Sequence, residues 1–476
     1  MKRKIIHDIS ASSVQVFINQ ISGVVVFYIL SKYISKSIFG EISWSVALLM
    51  LSFAVLGFGI DQVVVKKTAT GNDISKMAGI YSLHIVLTGI FLLSLIWLIT
   101  ALTGDLSSRS STLFLLAVGQ FLLFLSLPFK QIANGKEAFQ SLLCMSVGAN
   151  IGKVTGVLIL ASINRLTLNS FILVYISASA IELLICLFIS WRALQLRPLL
   201  SFNLKQYKAL IKESLPQLGV IICNAGIARF DWILLGIIST TSILAEYSFA
   251  YKVFEMSTLP LLIIAPLLLP RITKWFHLNS GRDMSRKNEN LITLAKFEVI
   301  LSCLGSLVLN IIWTPFVDNI TNNKYGNVNQ YSILILSACV PFLYVNNILW
   351  SINFARNQMK LILSIFITTF LITCCGDLLL IPFFHAEGAA IAYFIAITIQ
   401  TVQFLKKTQL ENLSKILHYL LLGIGSAMIS GILAKYTSST TGMQILISVA
   451  LYLFIIVFSR QIRFTDFFRI KKMICT

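Results

Sequence analysis

The stretch FGEISWSVALLMLSFAVLGFGIDQVVVKK, residues 39–67, decides the class of this protein. Between Glu41 and Asp61 lie nineteen consecutive uncharged residues, and the segment closes on the basic pair Lys66-Lys67. About twenty apolar residues in a helix span the ~30 Å hydrocarbon core of a bilayer. A basic pair at the end of such a span marks a cytoplasmic boundary.

The same test applied outward along the 476 residues predicts an all-α, polytopic membrane protein of about fourteen transmembrane helices. Among the expected spans are 41–65, 215–239, 245–270, 359–382 and 387–405. They group as a six-helix lobe over 1–191, a basic cytoplasmic linker over 192–214, a second six-helix lobe over 215–405, and two additional helices with a basic cytoplasmic tail over 406–476. Within the linker, LSFNLKQYKALIKE reads as an amphipathic surface helix. The opening Met1-Lys-Arg-Lys resembles a signal-peptide start. The apolar stretch after it is too long and lacks an A-x-A site, so it reads as a retained first helix.

Composition agrees. The chain is 57% hydrophobic and 12% charged, with a mean hydropathy of +0.85, against about 25% charged in a soluble domain. The net charge of +19 does not point to nucleic acid, because no basic stretch lies outside a short loop or terminus. Of the 38 Lys and Arg, 29 fall on the side that carries the N-terminus and 6 on the other. Such a split places both termini in the cytoplasm. No cofactor or metal site is expected. The five histidines are scattered, the eight cysteines show no CxxC or Cys/His spacing, and there is no Walker A or GxSxG motif. No loop is large enough for a soluble catalytic domain, so a transporter is expected rather than an enzyme.

Three basic residues escape the sorting. Lys153, Arg229 and Lys252 lie inside expected spans, where a charge costs about 2.5–3.5 kcal/mol even on insertion scales. Lys153 adjoins Gly148, Gly152 and Gly156, a small-residue face suited to close helix packing. Arg229 and Asp231 share one span and Lys252 and Glu255 the next, at depths that permit cross-helix pairs. Two readings stand: a cationic cavity for an anionic headgroup, and ion pairs that lock two helices together. Glu182, Asp61 and Asp377 are further embedded carboxylates that could carry protons in a coupled transporter; Glu298 is a weaker case. Asn19, Gln20, Asn150, Asn224, Asn346 and Asn347 read as interhelical hydrogen-bond partners.

An internal repeat is expected as well. Glu41 to Lys66 and Glu246 to Arg271 each cover 25 residues, and Ser43/Ser248 and Trp44/Phe249 correspond. The two spans are six apart, so the halves would be parallel repeats.

The chain resembles the polysaccharide biosynthesis flippases, the Wzx-type O-antigen flippase family of the multidrug/oligosaccharidyl-lipid/polysaccharide (MOP) superfamily. The residues that carry the resemblance are the opening 39–67 stretch, LPQLGVIICNAGIARFDWILLGIISTTSILAEYSFAYKVFEM (215–256) and DLLLIPFFHAEGAAIAYFIA (377–396). Asp377 stands where that family usually has asparagine. The resemblance implies translocation of undecaprenyl-diphosphate-linked oligosaccharide across the bacterial inner membrane by alternating access, for O-antigen, capsule or exopolysaccharide assembly. It implies Lys153, Arg229 and Lys252 as substrate-binding positions. Its partners would be the lipid-linked oligosaccharide, membrane lipids, and a polysaccharide polymerase with other assembly proteins. The alternative is an ion-coupled multidrug or small-molecule antiporter of the same superfamily, which would favour an acidic cavity.

Overall fold

The computed structural model describes residues 2–70, 74–103, 108–196, 204–261, 272, 284–410, 412–437 and 440–461. Every regular element among them is a helix. In chain order these are α1 (Lys2–Tyr33), α2 (Lys36–Leu56), α3 (Ile60–Ala69), α4 (Ile74–Thr103), α5 (Ser108–Gly135), α6 (Phe139–Ser162) and α7 (Leu168–Arg192). Then follow α8 (Leu204–Ile238), α9 (Thr241–Ser257), α10 (Met284–Thr321), α11 (Gln330–Ala355), α12 (Met359–Lys407), α13 (Ser414–Thr437) and α14 (Thr441–Phe458).

Twelve of these helices are long and apolar enough to cross a membrane. One carries two of the expected crossings. The 49 residues of α12 would measure about 73 Å, more than twice the hydrocarbon core. Its helical dihedrals fail at His385 (φ 48°, ψ −119°), between the expected spans 359–382 and 387–405. Span 245–270 begins as α9, and its residues 262–270 lie outside the described residues, as do Arg271 and the tail beyond 461.

Two expectations change. The span 41–65 is not continuous: α2 stops at Leu56 and α3 starts at Ile60. Phe58 and Gly59 both have positive φ, 54° and 69°. Glycine is required at 59 on a second count, because a Cβ there would lie 2.9 Å from Cβ of Gln217. The break leaves a helix-end carbonyl needing a donor. His84 supplies it, with Nε2 2.9 Å from the Leu56 carbonyl and Nδ1 3.0 Å from the Tyr207 hydroxyl. A carbonyl only accepts, so Nε2 carries the proton and Nδ1 accepts from Tyr207. Asp61 sits in the first turn of α3, accepting from the backbone N–H of Gln62, where the helix dipole favours an acid.

The second change concerns the linker. Residues 204–214 do not form a separate surface helix but are the first turns of α8. That helix runs 35 residues through Pro216, about 52 Å. Lys67 of α3 meets Glu213 on this extension at 2.6 Å.

Contacts divide the chain into residues 1–248 and 249–476. In the first unit α1 packs on α6, α5 and α6 pack on α7, and α2 packs on α8. Asn150 donates to Asn19 at 2.8 Å and Gln15 to Ser146 at 3.2 Å, two hydrogen bonds that bridge α1 and α6. Of the three glycines on α6, Gly148 and Gly156 lie against Ile185 and Val174 of α7, while Gly152 faces open space. In the second unit α10 packs against α11, α13 and α14. Tyr452 of α14 donates to the Ile300 carbonyl at 2.9 Å, fixing the last helix to α10.

The end of α8 is held by a cation. Arg109 of α5 donates through Nη2 to the Gly236 carbonyl at 2.8 Å and stacks 4.0 Å over the Trp44 ring. Trp44 in turn donates to the Ile233 carbonyl at 3.2 Å. A side chain at Gly236 would collide with that indole. Arg109→Ala is therefore expected to destabilise the protein by about 1–3 kcal/mol, the cost of a lost hydrogen bond from a charged donor. Thermal unfolding of the purified protein checks this, with the exposed Arg165→Ala as the near-neutral control.

Candidate functional site

Lys153 lies fourteen residues into α6, about 21 Å from its start. Its ammonium rests 5.3 Å above the ring of Tyr175 on α7. Tyr175 donates its hydroxyl to Gln120 of α5 at 2.6 Å, which fixes the ring beneath the cation. Two turns further along the same face of α7, Glu182 is buried and paired with Lys130 of α5. Both Glu182 and Lys130 act electrostatically on Lys153, yet among the described residues no carboxylate lies within 4.0 Å of its ammonium.

The arrangement therefore holds two cations and one anion. Lys130 and Glu182 neutralise each other, and Lys153 is left with a positive charge that a cation–π contact softens without cancelling. Lys130 lies in α5, five residues before Gly135, with its side chain largely buried against Glu182. The sequence does carry a signal for part of this cluster. Tyr175 and Glu182 are seven residues apart, and on a helix that spacing shares a face.

The second embedded group lies on α8. Arg229 stacks its guanidinium 4.7 Å over Trp232 and donates to the Ala228 carbonyl at 2.8 Å. Asp231 is 1% exposed. Its Oδ1 accepts from the Trp232 backbone at 2.8 Å and its Oδ2 from the Tyr247 hydroxyl of α9 at 2.6 Å. Asp231 thus faces α9, through a tyrosine.

On α9, Lys252 donates to Glu255 of the same helix at 2.7 Å. An i, i+3 pair shares one helix face, so this cation is held locally. Neither partner is fully enclosed: the side chains retain 19% and 28% exposure.

Three further embedded acids are Asp61, Asp377 and Glu298. Asp61 belongs to the α3 start described above. Asp377 is fully buried on α12, on the face that also bears Thr369 and Thr373, whose hydroxyls donate to helix carbonyls at 2.8 and 3.0 Å. Glu298 of α10 is likewise buried, and among the described residues no hydrogen-bond donor meets either of its carboxyl oxygens.

Around α6 the structure sets two cations, Lys153 and Lys130, against the one carboxylate of Glu182; Lys252 and Glu255 form a local pair, and both oxygens of Asp231 accept hydrogen bonds.

Solved structures share this architecture. The lipid II flippase MurJ in an inward closed conformation is 17% identical, with 94% of this chain and 98% of that chain covered and a TM-score of 0.75. A MATE transporter of Vibrio cholerae, VcmN, is 16% identical over 86% of this chain and 99% of that chain, with a TM-score of 0.55. An inward-facing multidrug resistance MATE family transporter of the MOP superfamily is 12% identical over 88% and 96%, with a TM-score of 0.60. At these identities the likeness is one of fold. No curated protein matches the chain. The sequence profile described as polysaccharide biosynthesis protein matches residues 5–276, more than half of the 476. With a helical membrane fold to accompany that match, the chain belongs to the polysaccharide biosynthesis protein family.

Proposed function

We propose that this protein is a flippase. It moves undecaprenyl-diphosphate-linked oligosaccharide, a repeat unit of O-antigen, capsule or exopolysaccharide, across the bacterial inner membrane by alternating access. The observation that carries the reading is Lys153, a cation deep in a membrane-spanning helix whose close partner is an aromatic ring rather than an acid. An unbalanced charge at that depth is costly, and it is useful when the cargo brings the opposite charge. A diphosphate crossing hydrocarbon alone faces a penalty of several kcal/mol or more. A lysine ammonium is a compact point charge that binds phosphate readily. The Tyr175 face holds the ammonium in place, and a phosphate oxygen would compete with the ring for it.

Arg229 and Lys252 are the further substrate-binding positions in this reading. Glu255 serves as a stand-in anion for Lys252 when no substrate is present, and the Lys130–Glu182 pair keeps the cluster from carrying two free charges. Glu182, Asp61 and Asp377 are the carboxylates through which an ion gradient could be coupled. The domain plan in this reading is two six-helix lobes with two additional helices after 405, the linker ending where α8 begins at Leu204. A polymerase and other assembly proteins would receive the flipped unit.

Flipping by proteoliposomes loaded with lipid-linked oligosaccharide tests the site. Lys153→Ala is expected to reduce the rate at least about tenfold, the loss of one charge-assisted hydrogen bond, with normal protein level, and Lys153→Arg to retain much of it. Arg229→Ala and Lys252→Ala should act in the same direction. Unchanged flipping in Lys153→Ala would remove the cationic site. Loss of the protein from the membrane in the other two variants would instead favour helix-locking pairs. The shared MATE fold supports a rival antiporter reading, which requires proteoliposome efflux of a cationic dye that the oligosaccharide carrier would not show.

Topology has its own test. Both termini are expected in the cytoplasm, so a C-terminal green fluorescent protein fusion should fluoresce and a C-terminal alkaline phosphatase fusion should be inactive. The reverse pattern would invert the assignment of the basic loops.

A further inference from the structure

We propose that the second unit binds an anionic phospholipid, with one acyl chain in a cavity among α10, α11, α12 and α13 and the phosphate at Lys435. The cavity holds about 590 Å³, within the range of small-molecule sites. Its walls are apolar, with Leu334, Pro341, Phe394, Met428 and Ile432 among the lining side chains.

The polar residues in the wall are turned away from a ligand role. Ser306 donates to the Ser302 and Ser337 carbonyls at 3.0 and 2.8 Å. Asn310 donates to the Ser306 carbonyl at 2.8 Å and to the Ser337 hydroxyl at 2.6 Å, and Ser337 donates to Leu334 at 2.9 Å. What remains is a hydrocarbon-lined slot with a single charged lining residue, Lys435.

Position and length identify the occupant. Lys435 lies in the last turn of α13, which ends at Thr437, so its ammonium belongs at a membrane boundary. The α13 lining runs from Ile424 to Lys435, about 16 Å of helix. That is the depth of one leaflet of hydrocarbon, half of ~30 Å. The lining of α10, α11 and the second segment of α12 comes from the halves that lead to the same boundary: Cys303–Ile311 in the second half of α10, Leu334–Pro341 in the first half of α11, and Ile391 and Phe394 soon after His385. A slot one leaflet deep, apolar along its length and basic at its mouth, matches an acyl chain under an anionic headgroup. Basic pockets between membrane helices take such headgroups. The site lies within the second unit and does not depend on the flippase reading.

The test uses the full chain in nanodiscs containing phosphatidylglycerol with a diazirine on its acyl chain. After irradiation, peptide mapping is expected to place the label within residues 334–341 and 424–432. Filling the slot with Ala338→Phe should abolish that label; Ala427→Leu is the milder substitute if the first does not accumulate. Lys435→Gln should lower labelling by phosphatidylglycerol about fivefold and leave the weaker labelling by a matching phosphatidylcholine probe unchanged. Three results would overturn the proposal: no label in these segments, equal labelling by the two lipids, or displacement of phosphatidylglycerol by an equal amount of undecaprenyl phosphate, which would make the occupant a prenyl lipid.

Discussion

A charge inside hydrocarbon has to be answered by a neighbour, and much of the interior of this protein follows from that constraint. Lys130 answers Glu182, Lys252 answers Glu255, and Tyr247 answers Asp231. Each answer fixes a helix contact or a rotamer, because an unsatisfied buried charge is far more expensive than the pairing is favourable. Arg229 uses an indole face and a helix carbonyl. Lys153 uses a tyrosine ring alone at close range, which is why it carries the functional reading.

The same rule governs backbone groups. Irregular backbone at membrane depth is tolerated only where protein groups satisfy it. The break between α2 and α3 is therefore inseparable from His84, which meets the Leu56 carbonyl, and from Tyr207, which holds the other ring nitrogen of His84. At the far end of α8, Arg109 performs the same service for Gly236. Neither residue attracts notice in the sequence: one is a lone histidine and the other a loop-edge arginine. Both matter because of what is left open elsewhere in the chain.

The class of the protein was legible from apolar run length. Residues 42–60, the gap at His385 between two runs in α12, and the short connections all follow from the match between helix rise and bilayer thickness. The break at 57–59 was legible only in part. Gly57 and Gly59 permit it, but a Gly-Phe-Gly run inside an apolar stretch is also compatible with an uninterrupted helix, and the approach of Gln217 decides the matter. The α8 extension was misjudged because charge pattern and Pro216 suggested a boundary where the helix continues.

The candidate site divides along the same line. Sequence alone determined which charges lie at membrane depth, because depth is set by position along a helix of known rise. It also determined the i, i+3 spacing of Lys252 and Glu255 and the shared face of Tyr175 and Glu182. Tertiary structure alone decided which charge meets which. Lys130 and Glu182 are 52 residues apart, and their meeting depends on how α5 and α7 are rotated against each other. That rotation is fixed by packing at many apolar positions at once, and no local pattern of residues records it.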